Sequence, residues 1–378
     1  MNSVELLDQL VRINSVNAFY PGGPGEAKCA DHIEQFWRSL GIECWRQNVL
    51  PGRDNVIARI PGLDPSKRLV LEAHMDTVSV EGMTIDPFDP KIIDGCMYGR
   101  GACDTKAGLA AMMCAAVSAF HDPTPPPAEI WVAAVVDEEY SCQGVLRLCQ
   151  GLTASAAVVA EPTEMRLVIA SKGVLRWRVV SHGRSAHSSK VHLGFNAIHP
   201  MAKLLVAIEE EHAQLDGLKH PLLGASTANV GMIAGGVQVN FVPDRCAIEI
   251  DRRLLPFEDV EEVLASYQRL IDRVASRLPG ARFEMEAPML IDRGLDTSPK
   301  ADIVQTAGRV LGQLGENPEP SGVAFGSDAS KLMLAGVDSI LFGPGSIDQA
   351  HGAIEYVDIE QVLRAERFYY ALIREFGE

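Results

Sequence analysis

The sequence predicts an α/β fold: a mostly parallel sheet flanked by helices, interrupted by a smaller α+β domain. Three observations predict it. Apolar runs such as RLVLEAH (68–74), EIWVAAVV (129–136) and AAVVA (156–160) alternate with helical stretches, the pattern of strands covered on both faces. Between about 172 and 287 the runs give way to alternating strands and two one-sided helices. The length, 378 residues, suggests about two domains at roughly 150 residues each. The expected division is therefore 1–171 with 288–378 as one discontinuous domain, and 172–287 as an insertion.

The elements follow in order. Ser3 to Ile13 has apolar residues at 6, 7, 10 and 11, a helical spacing with Ser3 as its expected cap. The three quoted runs are strands, and Thr105 to Phe120 is a helix. Within it Ala107 to Phe120 is the longest nearly apolar stretch, short of the ~18–20 residues a bilayer needs, and so reads as a buried helix. In the insertion, Gly173 to Ser181, Ser226 to Ile233, Cys246 to Asp251 and Ala281 to Glu286 read as strands, the third alternating Ile248/Glu249/Ile250/Asp251. Helices lie between them, at Pro200 to His212 and from Val260 to Ile271. The order β-α-β-β-α-β is that of a ferredoxin-like sandwich. The first domain resumes with a helix at Ala301 to Leu311, a strand at SILFG (339–343) and a closing helix from Ile359 to Phe376.

Composition excludes several classes of function. Lys and Arg number 34 against 50 Asp and Glu, a net charge of −16, and the pI is near 5.1. Nucleic-acid binders need a basic face, and an anionic membrane surface would repel this chain, so neither is an expected partner. Hydrophobic content of 47% and charged content of 22% are those of a globular protein. The start Met1-Asn2-Ser3-Val4-Glu5 does not read as an export signal, so the expected address is the cytoplasm. Eight cysteines form no CxxC pair. They are expected to be reduced, mostly buried thiols, which leaves any metal to His and carboxylates.

In parallel α/β sheets, ligands bind at the carboxyl ends of the strands. Here the expected strands end in metal-capable residues. RLVLEA runs into His74 and Asp76, WVAAVV into Asp137-Glu138-Glu139, AAVVA into Glu161, and SILFGPGS leads by a loop to His351. Asp104 opens the 105–120 helix. Taken singly, Asp104 reads as a helix cap, the acidic triplet as a solvated turn and each His as a core residue. Jointly, carboxylates crowded without a cation would repel one another, and a bound pair of divalent ions removes that cost. Two His with three carboxylates suit zinc.

HMDTV (74–78), YGRGACDTKAG (98–108), VVDEEYSCQG (135–144), AEPT (160–163) and GPGSIDQAHGAIEY (343–356) resemble the zinc-dependent amidohydrolases and exopeptidases of peptidase family M20. The resemblance covers nearly the whole chain. It implies a di-zinc domain carrying an inserted lid, which serves for dimerisation. By that resemblance Asp104 bridges two metals, His74 and Glu161 complete one site, and Glu139 and His351 the other. Cobalt or manganese would suit the same residues. Asp76 is then a supporting carboxylate that orients the His74 ring, and a cis peptide is expected at Asp104–Thr105. Chemistry requires one of the adjacent glutamates as ligand and the other as base. The residues alone leave the assignment open, and the resemblance makes Glu138 the base. Metal would polarise the carbonyl and acidify water, and the base would move the proton to the departing amine.

In the insertion, SHGRSAHSSKVHLGFNAI (181–198) resembles a family stretch that makes His187 a catalytic residue reaching the partner subunit's active site, to donate a hydrogen bond to the developing oxyanion. The bland alternative is a polar histidine in a Ser-rich turn. GGVQVNFVPD (235–244) and DRR (251–253) map Asn240 and Arg253 onto substrate contacts, an Arg suiting a carboxylate. Either could instead serve a turn or an ion pair. FGSDAS (325–330) places Gly326 and Ser327 beside the substrate. Gly343-Pro344-Gly345 is a tight turn whose N–H groups could also meet a substrate carboxylate.

The expected function is metal-dependent hydrolysis of the amide of an N-acyl amino acid, in the manner of acetylornithine deacetylase. The alternatives are succinyl-diaminopimelate desuccinylase, a dipeptidase or carboxypeptidase acting on a short peptide, and a non-catalytic binding protein on the same fold. The last would be expected to lose a ligand or the base, and all are present.

Overall fold

The computed structural model describes residues 2–377. The chain divides into two units. The first runs up to Ile169 and takes in Asp296–Ser321 and the chain from Ser327 onward; the second is Ala170–Leu295 with Gly322–Gly326.

The described residues form an eight-stranded sheet, most of it in the first unit. Its order is Glu43–Leu50, Arg53–Ile60, Ala128–Val135, Asp64–His74, Ala156–Val159, Asp338–Leu341, Val168–Ser171, Ser321–Val323. The four central strands, Ala128–Val135 through Asp338–Leu341, run parallel. The Glu43–Leu50 and Arg53–Ile60 hairpin is antiparallel and was not foreseen, nor was the helix Ala27–Ser39 before it. Pro51-Gly52 make the hairpin turn, Gly52 at a φ of 72° that favours glycine. The strand read as 68–74 begins earlier, at Asp64.

The central strands are buried on both faces. The helix Lys106–His121 is buried along nearly its whole length, and it packs with Ile359–Glu375, whose stripe Val362, Ala365, Phe368, Tyr369, Leu372 and Ile373 faces the core. Burying a side chain such as Phe368 contributes about 1.5–3 kcal/mol. Gly108 permits close approach: a Cβ there would lie 2.5 Å from the Ala160 Cβ, so the helix start rests on the strand end that leads to Glu161. Lys106 is wholly buried and donates to the main-chain oxygens of Leu10 and Ile13, both at 2.9 Å, tying this helix to the end of the first one. Burial pushes its pKa down.

Two caps differ from expectation. Asn2, not Ser3, caps the helix Ser3–Val11, by a reciprocal pair with Glu5. Its side-chain oxygen sits where it can reach the Glu5 N–H, while Ser3 is already inside the helix. Thr105, not Asp104, stands at the N-cap of Lys106–His121, its hydroxyl donating to Ala160 at 2.9 Å. Asp104 is thus one residue outside the helix and free for another task. The Asp104–Thr105 peptide is cis. A short strand, Tyr356–Asp358, not expected from the sequence, follows Asp338–Leu341 and pairs with Cys96–Tyr98.

The second unit has an antiparallel sheet ordered Thr227–Gly235, Arg245–Leu254, Gly173–His182, Arg282–Met285. Helices Ile198–His212 and Val260–Ser276 cover one face, over a core of Trp177, Val179, Leu204, Ile208, Ile248, Ile250 and Tyr267. Its boundary lies beyond 287, at Leu295, because Leu290–Asp292 adds a further pairing to Gly173–His182. Among the described residues, no helix is long and apolar enough to cross a membrane.

Candidate metal centre

The first unit gathers the expected ligands at the carboxyl edge of its parallel strands. His74 ends the central strand Asp64–His74 and is 2% exposed. Its Nε2 lies 3.0 Å from Asp104 Oδ1. His351 Nε2 lies 3.2 Å from Asp104 Oδ2 and 3.1 Å from Glu139. Asp104 therefore presents one carboxylate oxygen to each imidazole, as a ligand shared by two ions would. The donor atoms of His74, Asp104 and Glu139 fall within 4.8 Å of one another. Glu161 is buried, in electrostatic reach of Asp104, Glu138 and His74.

Charge in this pocket is strongly perturbed. Burial pushes the carboxyls of Glu138, Glu139 and Glu161 up, Glu138 and Glu161 well up, and neighbouring acids add to it. Burial also opposes ionisation of Asp104, but hydrogen bonds from His351 and His74 outweigh it and hold that carboxyl below its usual range. His351 is pushed up to about 10 by its hydrogen bonds to Asp104 and Glu139. His74 is raised despite burial, by Asp104 and the surrounding acids. Without a cation the two rings carry the positive charge that the carboxylates require. Two imidazoles with three carboxylates form a nitrogen and oxygen donor set that fits a pair of divalent ions, and such ions would replace those protons.

Asp76 works differently from its expected role. His74 Nδ1 is held by the main-chain oxygen of Asp76 at 2.9 Å, while the Asp76 carboxylate stands off at 3.7 Å. That carboxylate instead accepts the N–H groups of Glu138 and Glu139, both at 3.1 Å, and the Asn17 amide at 2.7 Å. It positions the backbone of the adjacent glutamates rather than the ring. The turn is short enough that Asp76's own oxygen reaches Nδ1 first.

Sequence reasoning missed the support around these residues. Asn17 also donates to Asp137, which accepts from Arg53 at 3.0 Å, and Arg53 pairs with buried Glu26 at 2.5 Å. Glu72, two residues before His74, is fully buried, and burial beside Asp328 pushes its carboxyl well up. Its period-two position on the strand is the signal that could have placed it inside. The donor atoms of Glu138, Cys142 and Asp328 also fall within 4.8 Å of one another, so a thiol stands nearer the centre than expected. All eight cysteines are free.

The other expected residues divide between the units. In the second, His187 is exposed, its Nδ1 hydrogen-bonded within the turn to Ser189. Asn240 lies next to it: the Asn240 main-chain oxygen accepts from Ser188 N at 2.9 Å, and His187 bridges to Phe241. Arg253 is at the far end of the strand Arg245–Leu254 and pairs with Asp251 at 3.0 Å, so it is not grouped with His187 and Asn240. Gly326 belongs to the second unit, where a Cβ would meet Asp292 at 2.4 Å. Ser327 belongs to the first and is fully buried. The N–H groups of Gly343 and Gly345 are already taken, by Thr163 at 3.0 Å and Gln361 at 2.9 Å. Side chains from outside the loop thus hold both N–H groups, which leaves neither for a substrate carboxylate.

Comparison with known proteins gives a consistent result. The family described as Peptidase family M20/M25/M40 matches residues 70–375. An acetylornithine deacetylase of Myxococcus xanthus is 30% identical over 376 residues, spanning 95% of this chain and 93% of that protein. A probable succinyl-diaminopimelate desuccinylase of Staphylococcus aureus is 25% identical over 395 residues, spanning 96% of this chain and 94% of that protein. Among solved structures, the aminopeptidase PepT of Bacillus cereus superposes with a TM-score of 0.83 at 24% identity, covering 100% of this chain and 98% of that one. That likeness concerns the fold.

Proposed function

Because the chain belongs to peptidase family M20/M25/M40, and is thereby a metal-dependent amidohydrolase, we propose that it hydrolyses the amide bond of an N-acyl amino acid, releasing a carboxylate and a free amine. The observation that carries the reading is the Asp104 carboxylate set between His74 and His351 with Glu139 alongside. The acyl-amino-acid preference rests on the relative named acetylornithine deacetylase.

Zinc ions held by His74, Asp104, Glu139, Glu161 and His351 would polarise the amide carbonyl and lower the pKa of water. Glu138 takes the proton of the attacking water and returns it to the departing amine nitrogen. Asp76 fixes where that carboxylate stands by holding the Glu138 and Glu139 N–H groups. In the metal-free centre, burial and the neighbouring acids push the Glu138 carboxyl well up. The proposed setting is cytoplasmic, with a homodimer formed through the second unit and His187 acting in trans. The exposed Val237 and Val239, 92% and 99% accessible beside the His187–Asn240 turn, support that assembly.

The test is free-amine release from N-acetyl-L-ornithine, N-succinyl-diaminopimelate, several N-acetyl amino acids and dipeptides, with zinc or cobalt and with a chelator. Chelator-sensitive release from an acyl-amino acid is the expected result. Release from dipeptides alone would overturn the acyl preference and keep the centre. No release from any of them, with metal confirmed bound, would overturn the substrate proposal. For the trans role, mixing His187→Ala with Glu138→Ala chains should restore part of the activity. Confirmed heterodimers without recovery would remove it.

A further inference from the structure

Arg100 and Glu355 lie in two of the motifs that first marked this chain, yet no step of the reaction uses them. Both are nearly inaccessible, 2% and 1% exposed, and they form an ion pair at 2.6 Å. A buried charge pair of this kind is weak evidence for stability, since desolvation offsets most of its attraction. Its hydrogen bonds indicate a different use.

Glu355 Oε1 accepts the main-chain N–H of Cys103 at 2.9 Å and of Asp104 at 3.1 Å. Its other oxygen takes the Arg100 guanidinium. Arg100 in turn donates from Nη2 to the main-chain oxygen of Ser79 at 3.0 Å and of Gly352 at 3.4 Å. Gly352 follows His351, whose backbone is held at a φ of 60°, a region that non-glycine residues seldom occupy without support. The Gly99 N–H closes the unit by donating to the Glu355 main-chain oxygen at 3.1 Å. One buried pair thus grips the backbone at Asp104 and the backbone beside His351. These two ligands are 247 positions apart in sequence (351 − 104) and lie 3.2 Å apart in space.

We propose that Arg100 and Glu355 are positioning residues that set Asp104 and His351 in mutual register, so that the shared carboxylate meets its second imidazole before any metal arrives. A planar guanidinium fork and a two-oxygen carboxylate suit the task, because each serves several targets in fixed directions. The inference rests on the metal-centre reading above.

The test uses the full chain and two conservative variants, Glu355→Gln and Arg100→Lys, with Co2+ titrated into metal-free protein. Amide hydrogen exchange over residues 99–105 is followed in the metal-free state. Supporting partners of ligands typically change metal affinity by about 10–100-fold. Each variant is expected to weaken Co2+ binding by about 10-fold or more and to speed exchange at Cys103 and Asp104. Glu355→Gln keeps an oxygen for the N–H groups, so its exchange effect should be smaller than that of Glu355→Ala. A lowered melting temperature with unchanged affinities and exchange would mark the pair as merely structural and overturn the proposal. If the unaltered chain binds no Co2+, the metal-centre reading falls and this one with it. If it binds two and the variants match it, only the positioning role falls.

Discussion

The two units place the same residue types on their sheets and obtain opposite results. On the second unit's open face, Arg176 pairs with Asp251 across the strands at 2.6 Å and Arg178 with Glu249 at 2.6 Å. These residues stand directly opposite one another in the register, and water reaches them. In the first unit, Asp104 and Glu161 are buried and the Glu139 side chain is only 6% exposed, all three in loops at the carboxyl end of the parallel strands with their charges confronting one another. The difference is position along the strand. A mid-strand charge alternates outward to solvent and finds a neighbour across the ladder. A charge at the carboxyl end of a parallel strand is carried into a shared pocket, where only another ion can relieve it. Opposite charges on a sheet face contribute to folding; like charges at a sheet edge are held there for chemistry.

That contrast can be broken experimentally, beginning where the effect is largest. Asp104→Ala should reduce bound metal from a pair per chain to less than a single ion and abolish amine release. Retention of both metals by elemental analysis would show that the shared carboxylate is not the centre's link. Glu138→Gln should keep the metals and the KM while kcat falls by roughly 10²–10⁴-fold, the usual worth of a positioned proton carrier. A fall in metal content instead would exchange the roles of the two glutamates. Asp76→Asn should lower metal affinity by about 10-fold, because one of two anchoring oxygens is lost. The His74 ring should keep its orientation, since a main-chain oxygen holds it, and a changed ring tautomer by NMR would contradict that division of labour.

A graded effect follows from the titrations. His351 is raised to about 10 and His74 is also raised, so the metal-free centre holds protons at neutral pH. Ligands must shed them to bind metal. Apparent affinity should therefore climb as pH rises toward about 10, and calorimetric heats should vary with the ionisation enthalpy of the buffer. Buffer-independent heats would mean that no protons leave. The smallest effect belongs to the second unit. Arg176→Ala should change stability by no more than about 1 kcal/mol in urea unfolding, and a larger loss would show that this pair is more than a solvated one.

Much of the centre was legible before any coordinates. His74 and Glu161 directly follow apolar runs and Glu138 and Glu139 come just after one, and a strand's end is readable because its periodicity stops there. The insertion was visible where continuous apolar runs became alternation, as at Ile248/Glu249/Ile250/Asp251. The hairpin Glu43–Leu50 and Arg53–Ile60 was not legible. Its first strand, ECWRQNVL, is half-exposed with no clean alternation, so nothing in its pattern marks it as a strand.

The sequence alone determined which groups were available: two imidazoles and a set of carboxylates, in segments expected at the carboxyl end of a parallel sheet. Period and composition suffice for that, because they are local properties of the chain. Only the tertiary structure decided what holds those groups. It gave the His74 ring to a main-chain oxygen, gave Asp76 to the glutamate backbone, occupied the Gly343 and Gly345 N–H groups, and set Glu355 against Asp104. The physical reason is that a hydrogen bond goes to whichever partner packing brings within about 3 Å. For Glu355 that partner is 251 residues away, and no local pattern records the distance.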